Sequence, residues 1–219
     1  MRQIACIHTV YSVIEPFTAQ LREALGKEIL IHTLYDDFLV SDPALHGGRF
    51  SGVNHQRLRL DMQAQSLTGA DLIVVSCSTL SPSVRLLRGE FNIPIVAIDD
   101  AMIAEAVRTG ERIGLIATAT STVGPSSSAL RAASEAGKTL DIRVVCNEEA
   151  IQALKAGNRE KHDALVLEMA EGLKDRDVLV LAQASMAHME EPVARQTGIK
   201  TLSSPRRCIE QVKKLLEAL

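Results

Sequence analysis

Asp71-Leu-Ile-Val-Val-Ser-Cys77-Ser-Thr79-Leu80 and Asp177-Val-Leu-Val-Leu-Ala-Gln183-Ala-Ser185-Met186 are the two stretches that decide the fold. Each opens on an aspartate, continues as an apolar run of strand length and closes on small or polar residues. A run that is apolar at every position fits a strand buried on both faces, as in a parallel sheet covered by helices. The two stretches are related by a shift of about 106 positions, and the relation extends outward at a shift of up to about 109. Ile4, Ile7, Thr9, Ser12, Pro16 and Leu21 fall on Ile113, Ile116, Thr118, Ser121, Pro125 and Leu130, and Ile93 and Ile103 fall on Ile199 and Ile209. Apolar strands resemble one another by chance. Matched Thr, Ser and Pro in one order are harder to reach that way, so the chain reads as a duplication.

Further apolar runs alternate with helix-period segments from end to end. Strands are expected near Ile4–His8, Ile29–Leu34, Leu72–Ser76, Ile95–Ile98, Ile113–Ala117, Ile142–Cys146, Val178–Ala182 and Lys200–Leu202. The fold class is α/β: two pseudo-symmetric Rossmann-like lobes with parallel sheets and a cleft between them, the first over 1–98 plus 206–219 and the second over 99–205. Composition agrees, because 46% of the residues are hydrophobic and only 3% aromatic, so Ala, Val, Ile and Leu must build the core. A net charge of -3 with no basic stripe excludes the electrostatic footprint of a nucleic-acid binder. No apolar run approaches the ~20 residues that span a bilayer, and the N-terminus enters a strand pattern at once, so the expectation is a cytoplasmic protein with no membrane partner. Cys6, Cys77, Cys146 and Cys208 are widely spaced without a C-x-x-C pair and are expected as free thiols.

Ligands of open parallel sheets bind beyond the carboxyl ends of the strands. Four segments share that position: His8–Ser12, Cys77–Ser81, Thr118–Thr122 and Gln183–Ala187, two from each half. Cys77 lies between a buried strand and Ser78-Thr79-Leu80-Ser81-Pro82, where Ser81 is expected to cap a helix with Pro82 in its first turn. Free amide hydrogens at a helix start stabilise an anion, whether a thiolate or a substrate carboxylate. Thr118, Thr120 and Ser121 open the corresponding helix of the second half as a cluster of hydroxyl and backbone donors, and Thr9, Ser12, Ser78 and Thr79 offer the same groups in the first. Each hydroxyl is equally consistent with ordinary capping. Cys6, Cys146 and Cys208 read as small packed residues.

No Walker A or G-x-G-x-x-G pattern is present, so neither a nucleotide nor any other cofactor is expected. His8 and His188 fall at strand-end regions and are candidate acids or bases. His32, His46, His55 and His162 show no metal-ligand spacing with a nearby acid or thiol, so no metal is expected. The stretch from Asp36 to Asn54, with Gly47-Gly48, Arg49 and Phe50, is expected as a surface loop, with a lid or subunit contact as the alternative, and Asn54–Leu67 as a helix capped at Gly69. Glu190-Glu191 reads as a solvated helix start.

Gly69-Ala-Asp-Leu-Ile-Val-Val-Ser-Cys77-Ser-Thr79 resembles the first-cysteine segment of the aspartate/glutamate/hydantoin racemase superfamily. Asn92-Ile-Pro94-Ile-Val-Ala-Ile98 is similar to the strand that follows it there, and Arg112-Ile-Gly-Leu-Ile-Ala-Thr118-Ala-Thr120 to its carboxylate-binding turn. The resemblance covers nearly the whole chain. It implies two thiols, one per half, on opposite faces of a substrate α-carbon, with Ala184 and Ser185 beside the second. Gln183 stands where that second thiol is expected, and an amide is no acid–base catalyst near neutral pH. Two-thiol racemisation is therefore not expected. The superfamily's one-sided chemistries remain, namely decarboxylation of a malonate-type acid or cis–trans isomerisation of an unsaturated diacid, although relatives of both kinds look as if they keep both thiols. The expectation is an isomerase or lyase for a small carboxylic acid, with Cys77 as nucleophile or proton donor and Gln183 as a hydrogen-bonding partner. The alternatives are an inactive carboxylate binder, a racemase whose second base is a residue such as His188, and a hydrolase pairing Cys77 with His188. The resemblance also implies a homodimer or higher homo-oligomer.

Overall fold

The apolar runs become strands, and the strands form two sheets of one design. The structure is a computed structural model and describes residues 2–46, 50–134 and 139–219. β1 (Gln3–His8), β2 (Leu30–Tyr35), β3 (Leu72–Val75) and β4 (Ile95–Ala97) form a parallel sheet in the order β2-β1-β3-β4. β5 (Arg112–Ala117), β6 (Asp141–Cys146), β7 (Val178–Leu181) and β8 (Thr201–Leu202) form a second in the order β6-β5-β7-β8. The central strands β3 and β7 are buried at every residue, whereas β2 and β6, at the sheet edges, alternate with exposed positions. Burial on both faces demands an all-apolar run, and an edge position relaxes that demand.

The helices follow in turn: α1 (Tyr11–Leu25), α2 (Phe38–Leu45), α3 (Gly52–Ser66), α4 (Ser81–Leu87), α5 (Asp100–Thr109), α6 (Thr120–Ala133), α7 (Glu148–Lys155), α8 (Arg159–Glu171), α9 (Glu190–Thr197) and α10 (Ser204–Ala218). The chain divides into two units, Met1–Asp100 with Pro205–Leu219, and Ala101–Ser204. In the first, Ile7, Leu39, Leu58, Met62, Val75 and Val84 pack between sheet and helices. In the second, Leu115, Leu130, Val178 and Val180 do so on one side of the sheet and Ile116, Val166 and Leu181 on the other. Pro16 and Pro125 stand at the same point of α1 and α6, where each withholds an amide hydrogen from the carbonyl one turn back, at Ser12 and Ser121.

Three local expectations are corrected. The stretch after Asp36 is not an open loop, because α2 occupies Phe38–Leu45 and Ser51 caps α3 by accepting from the Asn54 amide at 3.0 Å. Gly47, Gly48 and Arg49 of the candidate lid lie outside the described residues, while the Phe50 ring packs edge-on against His55, 4.8 Å between centroids. Ser81 is the first residue of α4 rather than its cap, since a 3-10 turn over Ser78–Leu80 precedes it. Glu190 is drawn inward, where its carboxylate accepts from the Ser203 amide at 2.9 Å.

The paired aspartates explain their own recurrence. Asp71 Oδ2 accepts from the Gln3 amide at 2.8 Å, and the Asp71 amide donates to the Gln3 carbonyl at 2.8 Å. Asp177 Oδ2 accepts from the Arg112 amide at 2.8 Å, and the Asp177 amide donates to the Arg112 carbonyl at 2.7 Å. Each aspartate thus clasps the start of the neighbouring central strand. The Arg112 guanidinium adds bonds of 3.0 and 2.6 Å to Asp177 Oδ1 and pulls that carboxyl down to about 2. Asp177→Ala is expected to lower stability by about 1–2 kcal/mol, read as a lower denaturant midpoint at unchanged slope. An unchanged midpoint would show that water replaces the clasp.

Among the described residues no helix is long and apolar enough to cross a membrane.

Candidate functional site

In the first unit the ends of β1 and β3 lie side by side, the Ser76 amide donating to the Ile7 carbonyl at 3.0 Å. That pairing brings His8 and Thr9 beside Ser76 and Cys77. Cys77 adopts an extended conformation, φ -127 and ψ 115, at the head of the 3-10 turn, and its carbonyl accepts from the Leu80 amide at 3.1 Å. Its free side chain is half-buried against the core of this unit. Ser78 is buried, Thr79 half-buried and Ser12 exposed on α1. Thr9 is buried, and its hydroxyl has no hydrogen-bond partner.

His8 is fully buried, with Nδ1 paired to the Ser76 hydroxyl at 2.7 Å and its ring edge-on to Phe17 at 6.0 Å. Burial pushes its imidazole down to about 4, so the ring is neutral at physiological pH. A second titratable group was not anticipated from the sequence. Asp61 on α3 is pushed up to about 7, first by burial and then by its hydrogen bond to Asp36, the residue that follows β2 and pairs with Arg57. The signal was the i, i+4 spacing of Arg57 and Asp61 on one helix face, which by itself reads as a surface ion pair.

The second unit presents the same strand ends with different chemistry. Gln183 occupies the position after β7 that Cys77 occupies after β3, and its amide is already committed. Its Oε1 accepts from the Thr118 amide at 3.0 Å, and its Nε2 donates to the Thr118 hydroxyl at 2.9 Å. The Thr120 amide, at the start of α6, donates to Glu148 Oε1 at 3.1 Å. Hydrogen bonds from the Thr120 side chain and backbone hold the Glu148 carboxyl below its ordinary range. The donors read from the sequence as an anion cradle are therefore present, but an amide and a carboxylate from the same unit satisfy them. Ser121 is exposed, and Ala184 and Ser185 are half-buried in a 3-10 segment over Ala184–Met189.

Glu148 was missed because 28 residues separate it from Thr120, although an acid right after Asn147 at a helix start was a visible hint. Cys146, expected as a packed thiol, is exposed at the end of β6. His188 does not stand alone: its Nε2 lies 2.7 Å from Asp163 Oδ1, and His162 Nδ1 lies 2.7 Å from the same oxygen. The expectation that His162 shows no metal-ligand spacing with a nearby acid is thus corrected.

Two parallel sheets of one strand order, with a thiol at one strand end and a fixed amide at its counterpart, define a duplicated parallel α/β protein with a single strand-end thiol at these paired positions. The model of the Asp/Glu/hydantoin racemase family matches residues 16–212. The chain belongs to that family.

A glutamate racemase from Desulforudis audaxviator is 32% identical over 138 residues, which cover 59% of this chain and 50% of that protein. An uncharacterized protein of Schizosaccharomyces pombe is 24% identical over 144 residues, covering 60% of this chain and 57% of that protein. The chain thus spans about half the length of the curated relatives it matches. A glutamate racemase from Thermus thermophilus, solved in complex with β-chloro-D-alanine, superposes with a TM-score of 0.71 at 18% identity, covering 99% of this chain and 81% of that one. An allantoin racemase from Klebsiella pneumoniae gives 0.68 at 15% identity, over 100% of this chain and 89% of that one. At these identities the superpositions establish a shared fold.

Proposed function

We propose that the chain is an isomerase or lyase acting on a small carboxylic acid, with Cys77 as its nucleophile or proton donor. The observation that carries this reading is the half-buried free thiol at the head of the 3-10 turn after β3, in a member of the Asp/Glu/hydantoin racemase family. The complex of the Thermus thermophilus relative with a small amino acid supports the substrate class. Thr9, whose buried hydroxyl lacks a partner, and the amides of Ser78 and Thr79 are assigned to the substrate carboxylate.

Two reactions suit one thiol. In the first, the thiolate adds to the double bond of an unsaturated diacid, the new single bond rotates, and expulsion of the thiolate restores the double bond as its geometric isomer. In the second, a malonate-type acid loses carbon dioxide and the thiol protonates the resulting enediolate. Neither requires a second thiol on the far side of the carbon. The amide of Gln183, fixed by Thr118, does not act as an acid or a base near neutral pH.

The test is product analysis in deuterated water. Wild type is expected to turn over an unsaturated diacid or a malonate-type acid while leaving the α-proton of aspartate and glutamate unexchanged. Gln183→Cys is expected to introduce slow α-proton exchange. Rapid exchange by wild type would overturn the one-thiol reading, and turnover of none of these acids would favour a carboxylate binder.

A further inference from the structure

His162 and Asp163 are consecutive on α8, and His188 lies in the 3-10 segment that follows β7. The packing of α8 beside that segment brings three side chains to one point within the second unit. His162 Nδ1 and His188 Nε2 each stand 2.7 Å from Asp163 Oδ1, and the two rings lie 5.7 Å apart, tilted by 31°. The three ligand-capable atoms lie within 4.8 Å of one another. We propose that His162, Asp163 and His188 form a site for one divalent transition-metal cation of the zinc(II) class.

The donor set carries the identity of the ligand. Two imidazole nitrogens with one carboxylate oxygen suit zinc, cobalt or nickel and are a poor match for calcium or magnesium, which favour all-oxygen shells. Donors about 2.0–2.1 Å from a tetrahedral zinc stand roughly 3.3 Å apart, so the two 2.7 Å contacts to Asp163 must open by about 0.6 Å and the two ring nitrogens, within 4.8 Å of each other, must come to a similar spacing. Burial is asymmetric in the way an accessible site requires. The His162 side chain is fully buried, while those of His188 and Asp163 are 27% and 29% exposed, so solvent reaches one side and a water completes the shell.

The proton balance is explicit. Each imidazole now shares a hydrogen with Asp163, and the cation replaces these hydrogens on the ligating atoms. A neutral ring moves its hydrogen to its other nitrogen, and a protonated ring releases one to solvent, so affinity falls in acid. His162 Nε2 is buried without a partner. Metal-bound histidines are ordinarily held through that second nitrogen, and its lack weakens affinity by about 10–100-fold. The site therefore binds reversibly rather than as a structural clamp.

The test uses the whole chain titrated with zinc(II) by calorimetry and with cobalt(II) by visible absorption, alongside nitrogen NMR of the histidine rings. One equivalent is expected to bind, with the ring signals of His162 and His188 moving together and no thiolate-to-cobalt band. His188→Ala and, as the milder change, Asp163→Asn are each expected to weaken binding at least about tenfold. Cys77→Ser is expected to keep the site, which separates this inference from the reading of Cys77. Unmoved ring signals at saturating zinc, or undiminished binding in both variants, would show that the cluster is only an ion pair and that bound metal sits on thiols.

Discussion

Cys77→Ser is expected to lower turnover of the small acid by at least about a hundredfold and to leave the fold intact. The hydroxyl is similar in size to the thiol, and the Cys77 side chain packs half-buried against the core, so little packing is lost. What changes is chemistry: a serine hydroxyl is not ionised near neutral pH and is a far weaker nucleophile and acid than a thiol. His8, one strand over, is bonded to Ser76 and stays neutral down to about pH 4. General acid–base or nucleophilic roles contribute about 10²–10⁴-fold, which sets the size of the effect. Steady-state rates and a denaturation midpoint, measured on the same preparation, check both halves of the claim. Undiminished turnover would shift the assignment to another group, with Asp61, pushed up to about 7, the first to test.

Acid is expected to weaken the protein through His8 before most carboxylates titrate. Burial depresses this imidazole from 6.5 to about 4 in the folded chain. Between these values the unfolded chain binds the proton and the folded chain does not, so stability falls as pH drops from about 6.5 toward 4 and is fully retained above that window. The loss is on the order of 2–3 kcal/mol. Denaturant titrations at pH 7, 5.5 and 4 on wild type and His8→Gln isolate it, because the variant lacks the titrating ring. Equal pH dependence in the two proteins would mean that His8 takes up its proton without unfolding cost.

The two predictions differ in how far the sequence reveals them. The central strands were legible because a strand covered on both faces admits little but Val, Ile, Leu and Ala, and Leu72–Val75 and Val178–Leu181 obey that rule at every position. The duplication was legible through Asp71 and Asp177, whose shared task became clear only when each proved to clasp a neighbouring strand. The position of Cys77 at the end of a buried strand was legible in the same way. The state of the second unit's cradle was not. Whether the Thr118 amide is open depends on the direction of one long side chain, that of Gln183, and whether the Thr120 amide is open depends on a residue 28 positions away. α2 escaped notice because it is short and carries Pro43, which reads as a break rather than as part of a helix. The His162–Asp163–His188 cluster was hidden for the same reason as the cradle: its members lie 25 residues apart and meet through the packing of a helix on a strand-end segment.

The division of the chain also bears on the order in which it is made. The second unit is one continuous segment, Ala101–Ser204, whereas the first is assembled from Met1–Asp100 and Pro205–Leu219. On a ribosome, the later segment has all its parts before the earlier one does. Domains fold as units once their own residues are available, so the second unit is placed to mature first while the first waits for α10. Until that helix arrives, the β1 thiol Cys6 lacks the neighbour Cys208 that lies close to it in the finished protein. The first unit is thus the half of the molecule that completes its packing last.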